Sequence, residues 1–376
     1  MATLTANKTQ IATRIVDCDS HIVPRVDLDS LRDLMPGGLT DQARDMYARE
    51  ASMWAEPDAV RRGGPGRRAS EPVPLRDPEV RIKVLDDDLG VDAQVLIPHA
   101  QFAHLYGGHP EGDDHPLPVR TAMCRAYNNA IAAVQKQYPD RFIGTAIVPF
   151  DDLDESRREA TRVVIELGLE SIMLPGNWLG QNYDAMELYP FWDTINQLDV
   201  AIFVHAIPQS CGGSMGDHVP RYPIVGQERM RRLHLGVYIG FSLEYSIACA
   251  ALSLGGVLDE FPNLRFCFFE AGAGWLPYTM MGCDRSFYIQ NACSRTRTPP
   301  SELIRKHCFT AMESTEHIPA LVTAAGSTNF FFGTDYPHGE YQFLPNDVST
   351  YASLPISDED KANILGRTML RVLHRE

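Results

Sequence analysis

The feature that most constrains this chain is an alternation. Short apolar, β-branched or aromatic runs recur at Ile11–Val16, Val91–Pro98, Phe142–Val148, Glu170–Leu174, Val200–His205, Leu264–Glu270, His307–Ala311 and Asn329–Gly333. Between them lie segments of helical periodicity: Pro78–Leu89, Leu117–Gln137, Glu155–Leu167, Phe191–Leu198, Phe241–Leu258, Leu276–Ile289, Ile318–Ala325 and Asp358–His374. Strands alternating with helices imply βαβ units and a parallel sheet, and eight such units in 376 residues fit a (β/α)8 TIM barrel. A doubly wound sheet would place a Gly-rich phosphate loop after its first strand. Here that position holds Asp17-Cys18-Asp19-Ser20-His21.

The expected organisation is one α/β barrel domain over residues 1–376, with an insertion after strand one at about 24–78 and a lid-like loop at about 208–235. The insertion contains an amphipathic stretch near Asp41–Trp54 and a Gly/Arg-rich run at 61–68, whose arginines read as solvated.

A barrel carries its active site at the C-terminal ends of its strands, so the residues ending each strand are the informative ones. Strand one ends in Asp19 and His21, strand five in His205, strand six in Glu270, and strand eight is followed by Asp335 and His338. Alternation along an extended chain puts Asp17, Asp19 and His21 on one face. Each of these groups follows an apolar run that would bury it near the barrel mouth, and several buried carboxylates are costly unless a cation offsets them. Two carboxyls sharing a proton would leave the imidazoles unexplained. The set therefore predicts a metal site. His99, His104, Tyr106 and the Arg221–His234 stretch are weaker candidates for the rim, and Asp17 reads as support for a ligand.

The quoted motifs, together with Glu270-Ala271-Gly272-Ala273-Gly274-Trp275, Gly333-Thr334-Asp335-Tyr336-Pro337-His338, Arg81–Pro98, Asp140–Gly144 and Ile364-Leu365-Gly366, resemble the amidohydrolase-related family. Within it, the resemblance is to the branch containing aminocarboxymuconate semialdehyde decarboxylase and the resorcylate-type decarboxylases. It implies an amidohydrolase-like barrel in which Asp19, His21, His205 and Asp335 are metal ligands. It also exposes two departures: strand one has Asp-x-His rather than His-x-His or Glu-x-His, and strand six ends in Glu270 where those decarboxylases place a catalytic His.

Three carboxylates with three imidazoles (Asp19, His21, His205, Glu270, Asp335, His338) exceed the needs of one tetrahedral zinc. The leading expectation is accordingly two iron or manganese ions per chain, with Glu270 bridging. With a carboxylate at the strand-six position, the chain also resembles the family members that look like dinuclear iron or iron/manganese oxygenases, and the reaction this resemblance implies is O2-dependent hydroxylation of an unactivated C–H bond of a small carboxylate-bearing substrate, fed by an external electron donor such as a reductase. The alternative is a hydrolase or non-oxidative decarboxylase with one divalent metal, zinc included, in which Glu270 or Asp335 is the catalytic base. The resemblance also implies a homo-oligomer, or a hetero-oligomer with a paralogous subunit.

A net charge of −15 argues against a nucleic-acid partner. No apolar run reaches the roughly 20 residues of a membrane helix, and the eight scattered cysteines favour reduced thiols. The expected setting is the cytoplasm, with a small molecule as substrate.

Overall fold

The computed structural model describes residues 13–26, 41, 77–99, 102, 105–106, 116–206, 225, 235–290, 294–337 and 347–376. The chain forms a closed barrel of eight parallel strand positions. Strand one is Val16–Asp17 continued by His21–Ile22, strand two Ala93–Pro98, strand three Phe142–Gly144 with Ala146–Ile147, and strand four Ser171–Leu174. Strand five is Ala201–Val204, strand six Phe266–Phe268, strand seven Cys308–Met312 and strand eight Phe330–Phe332.

Each position pairs in parallel with its neighbours in chain order, through registers such as His21↔Ile97, Met173↔Phe203 and Phe331↔Ala311. Strand three serves both sides, pairing with strand two through 142–144 and with strand four through 146–147. Backbone bonds join strand one to strand eight: Cys18 N–H to Phe332 O at 2.9 Å, His21 N–H to Tyr336 O at 2.7 Å and Asp335 N–H to Asp19 O at 2.9 Å. These close the ring.

All eight expected strands are present. Strand one corrects its expected span, since its pairing begins at Val16 and runs through the polar motif to Ile22; residues 11 and 12 lie outside the described ones. Thr13, Arg14 and Ile15 lead into the strand, while the metal-type residues belong to it. The helices Leu117–Gln137 and Ile318–Ala325 match expectation. The segment expected as one helix over 241–258 breaks at Gly256, whose φ of +84° ends one helix at Leu254 and starts another at Val257. Two short helices, Pro300–His307 and Val348–Ala352, were not expected. The expected helix at 41–54, the Gly/Arg run at 61–68 and most of the 208–235 loop lie outside the described residues.

Phe203, Phe269 and Phe331 come from strands five, six and eight, yet their rings meet, at 5.0 Å between Phe203 and Phe269 and 5.2 Å between Phe269 and Phe331. Only the barrel interior allows that contact, so these rings form an apolar plug beneath the mouth. No helix among the described residues is long and apolar enough to cross a membrane.

Candidate metal centre

Strand-end residues converge above the aromatic plug. Ligand-type atoms of Asp19, His21, Glu270 and Asp335 all lie within 4.8 Å of one another, as do those of His21, His205 and Glu270. His21 Nε2 is 3.0 Å from Glu270 Oε1, 3.1 Å from Asp335 Oδ1 and 3.8 Å from Asp19 Oδ1. His205 Nε2 approaches the same Glu270 oxygen at 3.1 Å. His21, Asp19 and Asp335 are buried, and the His205 and Glu270 side chains are each 12% exposed.

The other ring nitrogens fix the imidazoles. His21 Nδ1–H donates to Pro98 O at 3.2 Å and His205 Nδ1–H to Ala206 O at 2.9 Å, which leaves both Nε2 lone pairs facing the cluster, as metal-ligating histidines are held. Two backbone kinks aim the acids. Glu270 and Asp335 have φ of +55° and +56°, a left-handed conformation that is uncommon for non-glycine residues and concentrates at functional sites. Gly333 is required because a Cβ there would fall 2.5 Å from Asp19 Cβ.

The electrostatics are those of a cation site. Burial, then the Asp335 and Glu270 carboxylates, hold Asp19 well above the usual carboxylate range. Burial opposes charge on His205, but Glu270 and Asp19 outweigh it and push the imidazole up to about 9. Asp19 Oδ1 is buried and accepts no hydrogen bond. A buried, unpartnered carboxylate oxygen beside two imidazole lone pairs and two further carboxylates suits a divalent ion with nitrogen and oxygen ligands.

Asp17 is not part of this cluster, although alternation placed it on the same face. Its carboxylate accepts from Thr334 N at 2.8 Å, Thr334 Oγ1 at 2.7 Å and Gln94 Nε2 at 2.7 Å, and burial pushes it up to about 6. Gln94 in turn accepts from the fully buried Arg81 at 3.1 Å, and Arg81 also donates to Ser20 Oγ at 2.6 Å and His21 O at 2.5 Å. This network clamps the backbones that carry Asp19, His21 and Asp335.

Gly272 and Gly274 make room for Glu316. Its carboxylate accepts from Ala273 N and Gly274 N at 2.8–2.9 Å, and a Cβ on Gly272 (φ +62°) would fall 2.8 Å from Glu316 Oε1. Trp275 Nε1 closes the same turn on Gly272 O at 2.9 Å.

Among the weaker candidates, His99 is buried with its ring 5.8 Å from that of His21, and Tyr106 is buried where Glu270 adds to burial in raising its phenol. His338, His104 and the Arg221–His234 stretch lie outside the described residues. Glu313 was missed. It directly follows strand seven, and burial, with Asp335, Asp19, Glu316 and Glu270 around it, holds its carboxyl well above the usual range. The strand-end rule points to it once strand seven is extended to Met312.

The amidohydrolase family model matches residues 16–375. The chain belongs to the amidohydrolase family. Its place is the branch that includes aminocarboxymuconate semialdehyde decarboxylase, and it is an enzyme of a metal-dependent superfamily. It is 28% identical over 300 residues to 2-amino-3-carboxymuconate-6-semialdehyde decarboxylase of Dictyostelium discoideum, spanning 79% of this chain and 76% of that protein. It is 25% identical over 321 residues to gamma-resorcylate decarboxylase of Polaromonas sp. strain JS666, spanning 78% and 89%. The structure superposes with a TM-score of 0.71 on 5-carboxyvanillate decarboxylase of Novosphingobium aromaticivorans complexed with manganese and 4-hydroxy-3-methoxy-5-nitrobenzoic acid. That likeness has 19% identity and covers 96% of each chain. These relatives are decarboxylases, so they favour the lyase alternative over the hydroxylase expected as the leading reading.

Proposed function

We propose that this amidohydrolase-family member is a divalent-metal-dependent, non-oxidative decarboxylase of a small aromatic carboxylic acid. Asp19, His21, His205 and Asp335 hold the metal, manganese or zinc, and Glu270 handles the proton. The observation that carries the reading is the placement of Glu270, whose Oε1 lies 3.0–3.1 Å from both ring nitrogens while its backbone departs from the strand at φ +55°. Two metals are not needed to balance the cluster. Asp19, Glu270 and Asp335 carry three negative charges when ionised, and one divalent ion with one proton on Glu270 offsets all three.

When bound, the ion supplies Lewis-acid charge for the substrate's oxygen atoms. The chain's own residues do the rest. Pro98 O and Ala206 O hold the two imidazoles in the tautomers that face the cluster. The Phe203, Phe269 and Phe331 plug keeps water out from below. Glu270, as the carboxylic acid, delivers its proton to the ring carbon that bears the carboxylate, where a ring π pair forms the new C–H bond; the C–C bond then breaks, its electron pair returns to the ring, and CO2 leaves. The carboxylate regains its proton from solvent. No electrons are exchanged, so no reductase takes part.

The test is a panel of hydroxylated benzoates incubated with the manganese-loaded protein in 2H2O, with and without air. The expected result is equal CO2 release in both atmospheres and one deuterium at the former carboxylate position. Turnover that stops under anoxia and consumes a reductant would overturn the proposal in favour of hydroxylation.

A further inference from the structure

Glu270 opens the turn that joins strand six to the helix Trp275–Ile289. Such a turn does not hold itself. Glu270 at φ +55° and Gly272 at φ +62° are both left-handed, and Gly274, at the start of the helix, has no side chain with which to cap it. The first N–H groups of a helix need acceptors from outside the helix, so the turn depends on its neighbours.

The acceptor comes from the loop after strand seven. Glu316 Oε1 accepts from Gly274 N at 2.8 Å, both Glu316 oxygens lie 2.9 Å from Ala273 N, and Oε2 also accepts from Glu313 N at 3.0 Å. Glu316 N–H donates back to Glu313 O at 3.0 Å, so one carboxylate ties the end of strand seven to the Glu270 turn. A negative charge also suits the positive end of the helix. The carbonyls of the turn are held by neutral donors, Ser242 Oγ–H on Ala271 O at 2.9 Å and Thr310 Oγ1–H on Gly272 O at 3.0 Å. Each residue from Ala271 to Gly274 is thereby pinned through its backbone, and Glu316 supplies two of the pins. Glu316 itself is not part of the cluster formed by Asp19, His21, His205, Glu270 and Asp335.

On the reading of Glu270 as the proton donor, on which this rests, we propose that Glu316 is a positioning residue for it. By pinning the turn, Glu316 aims the Glu270 carboxyl, which lies 3.0–3.1 Å from the ring nitrogens of His21 and His205, at the substrate carbon to be protonated. It does so without contacting metal or substrate. A reacting group displaced by ~1 Å loses roughly 10^2-fold in rate, whereas the four side chains that hold the metal stay in place.

The test is Glu316→Gln in the manganese-loaded full chain, an isosteric change that turns one accepting oxygen into an NH2 donor facing backbone N–H groups. For CO2 release, kcat is expected to fall ~10–100-fold while KM stays within about twofold of the wild type, with manganese content unchanged. The ratio of rates in 1H2O and 2H2O should rise, because proton delivery becomes the slow step; a variant that merely loosened the fold would not raise it. If Glu316→Gln does not fold, Glu316→Asp, which keeps the charge but draws it back by one methylene, is expected to show the same pattern. Crystal structures of the manganese-loaded wild type and variant give a readout that needs no turnover: the Glu270 carboxyl should shift by about 1 Å or more between them. Should the wild type release no CO2 from any substrate, the decarboxylase reading falls and the crystallographic comparison alone decides the role of Glu316. A Glu270 carboxyl that superposes in the two structures, a fall in kcat matched by lost manganese, or a fall with no rise in the isotope ratio would each overturn the proposal.

Discussion

Replacing Asp19 by Asn should change stability in opposite directions depending on whether metal is bound. Without metal, Asp19 is held well above its ordinary range by burial and by Asp335 and Glu270, and each pH unit by which a folded-state carboxyl is held up costs ~1.4 kcal/mol when it must ionise. Metal-free wild type therefore has its full stability in acid and loses it as the pH rises through the folded-state value; Asp19→Asn removes one source of that loss and should melt higher at pH 8. With metal the order inverts. At a manganese concentration 100 times Kd, binding stabilises the wild type by ~2.7 kcal/mol, or roughly 3–5 °C for a chain of this size. Partners that merely orient a ligand are worth ~10–100-fold in affinity; losing the ligand itself should cost more, leaving at most ~0.4 kcal/mol of metal stabilisation at that concentration. Thermal melts of both proteins at pH 6 and 8, with and without manganese, measure all of this. A variant that melts below the wild type without metal, yet keeps the full manganese shift, would refute both the charge argument and the ligand assignment.

Glu270→Gln should retain bound manganese, measured by elemental analysis, while decarboxylation falls by ~10^2–10^4-fold, the usual worth of a general acid. Arg81→Met should lower stability in urea by ~3 kcal/mol or more, because Gln94 Oε1, Ser20 Oγ and His21 O lose a buried charged donor. Gly333→Ala forces two carbons from 2.5 Å to an ordinary contact; it should cost ~1–3 kcal/mol and weaken manganese binding measured by calorimetry, and an unchanged affinity would show that Asp19 is not held from that side. For Asp17, burial pushes the carboxyl up to about 6 from 3.8, so its contribution is complete below pH 4 and is lost by pH 7. The wild type should lose ~3 kcal/mol more than Asp17→Asn across that range, read from urea midpoints.

The barrel was legible because a fully buried parallel strand needs a continuous apolar run, and eight such runs stand out. The strand-end rule located Asp19, His21, His205, Glu270 and Asp335 for the same reason. What escaped depended on long-range contact. Nothing local in Arg81 says that it turns inward to donate to residues sixty positions earlier, and Asp17 differs from Asp19 only in that Thr334, on the far side of the seam, receives it. The role of Gly272 became readable only once Glu316 stood opposite. Glu313 was within reach, but ending strand seven at Ala311 instead of Met312 hid that it directly follows the strand.

The bond between strand one and strand eight also sets the order of events during synthesis. Asp19 and His21 leave the ribosome early, while Asp335, whose amide bonds to Asp19 O, leaves it more than three hundred residues later. On the proposed ligand set, an ion that met the chain before that last strand docks would find only part of its coordination sphere, so a chain cut short of Asp335 should bind manganese more weakly than the closed barrel.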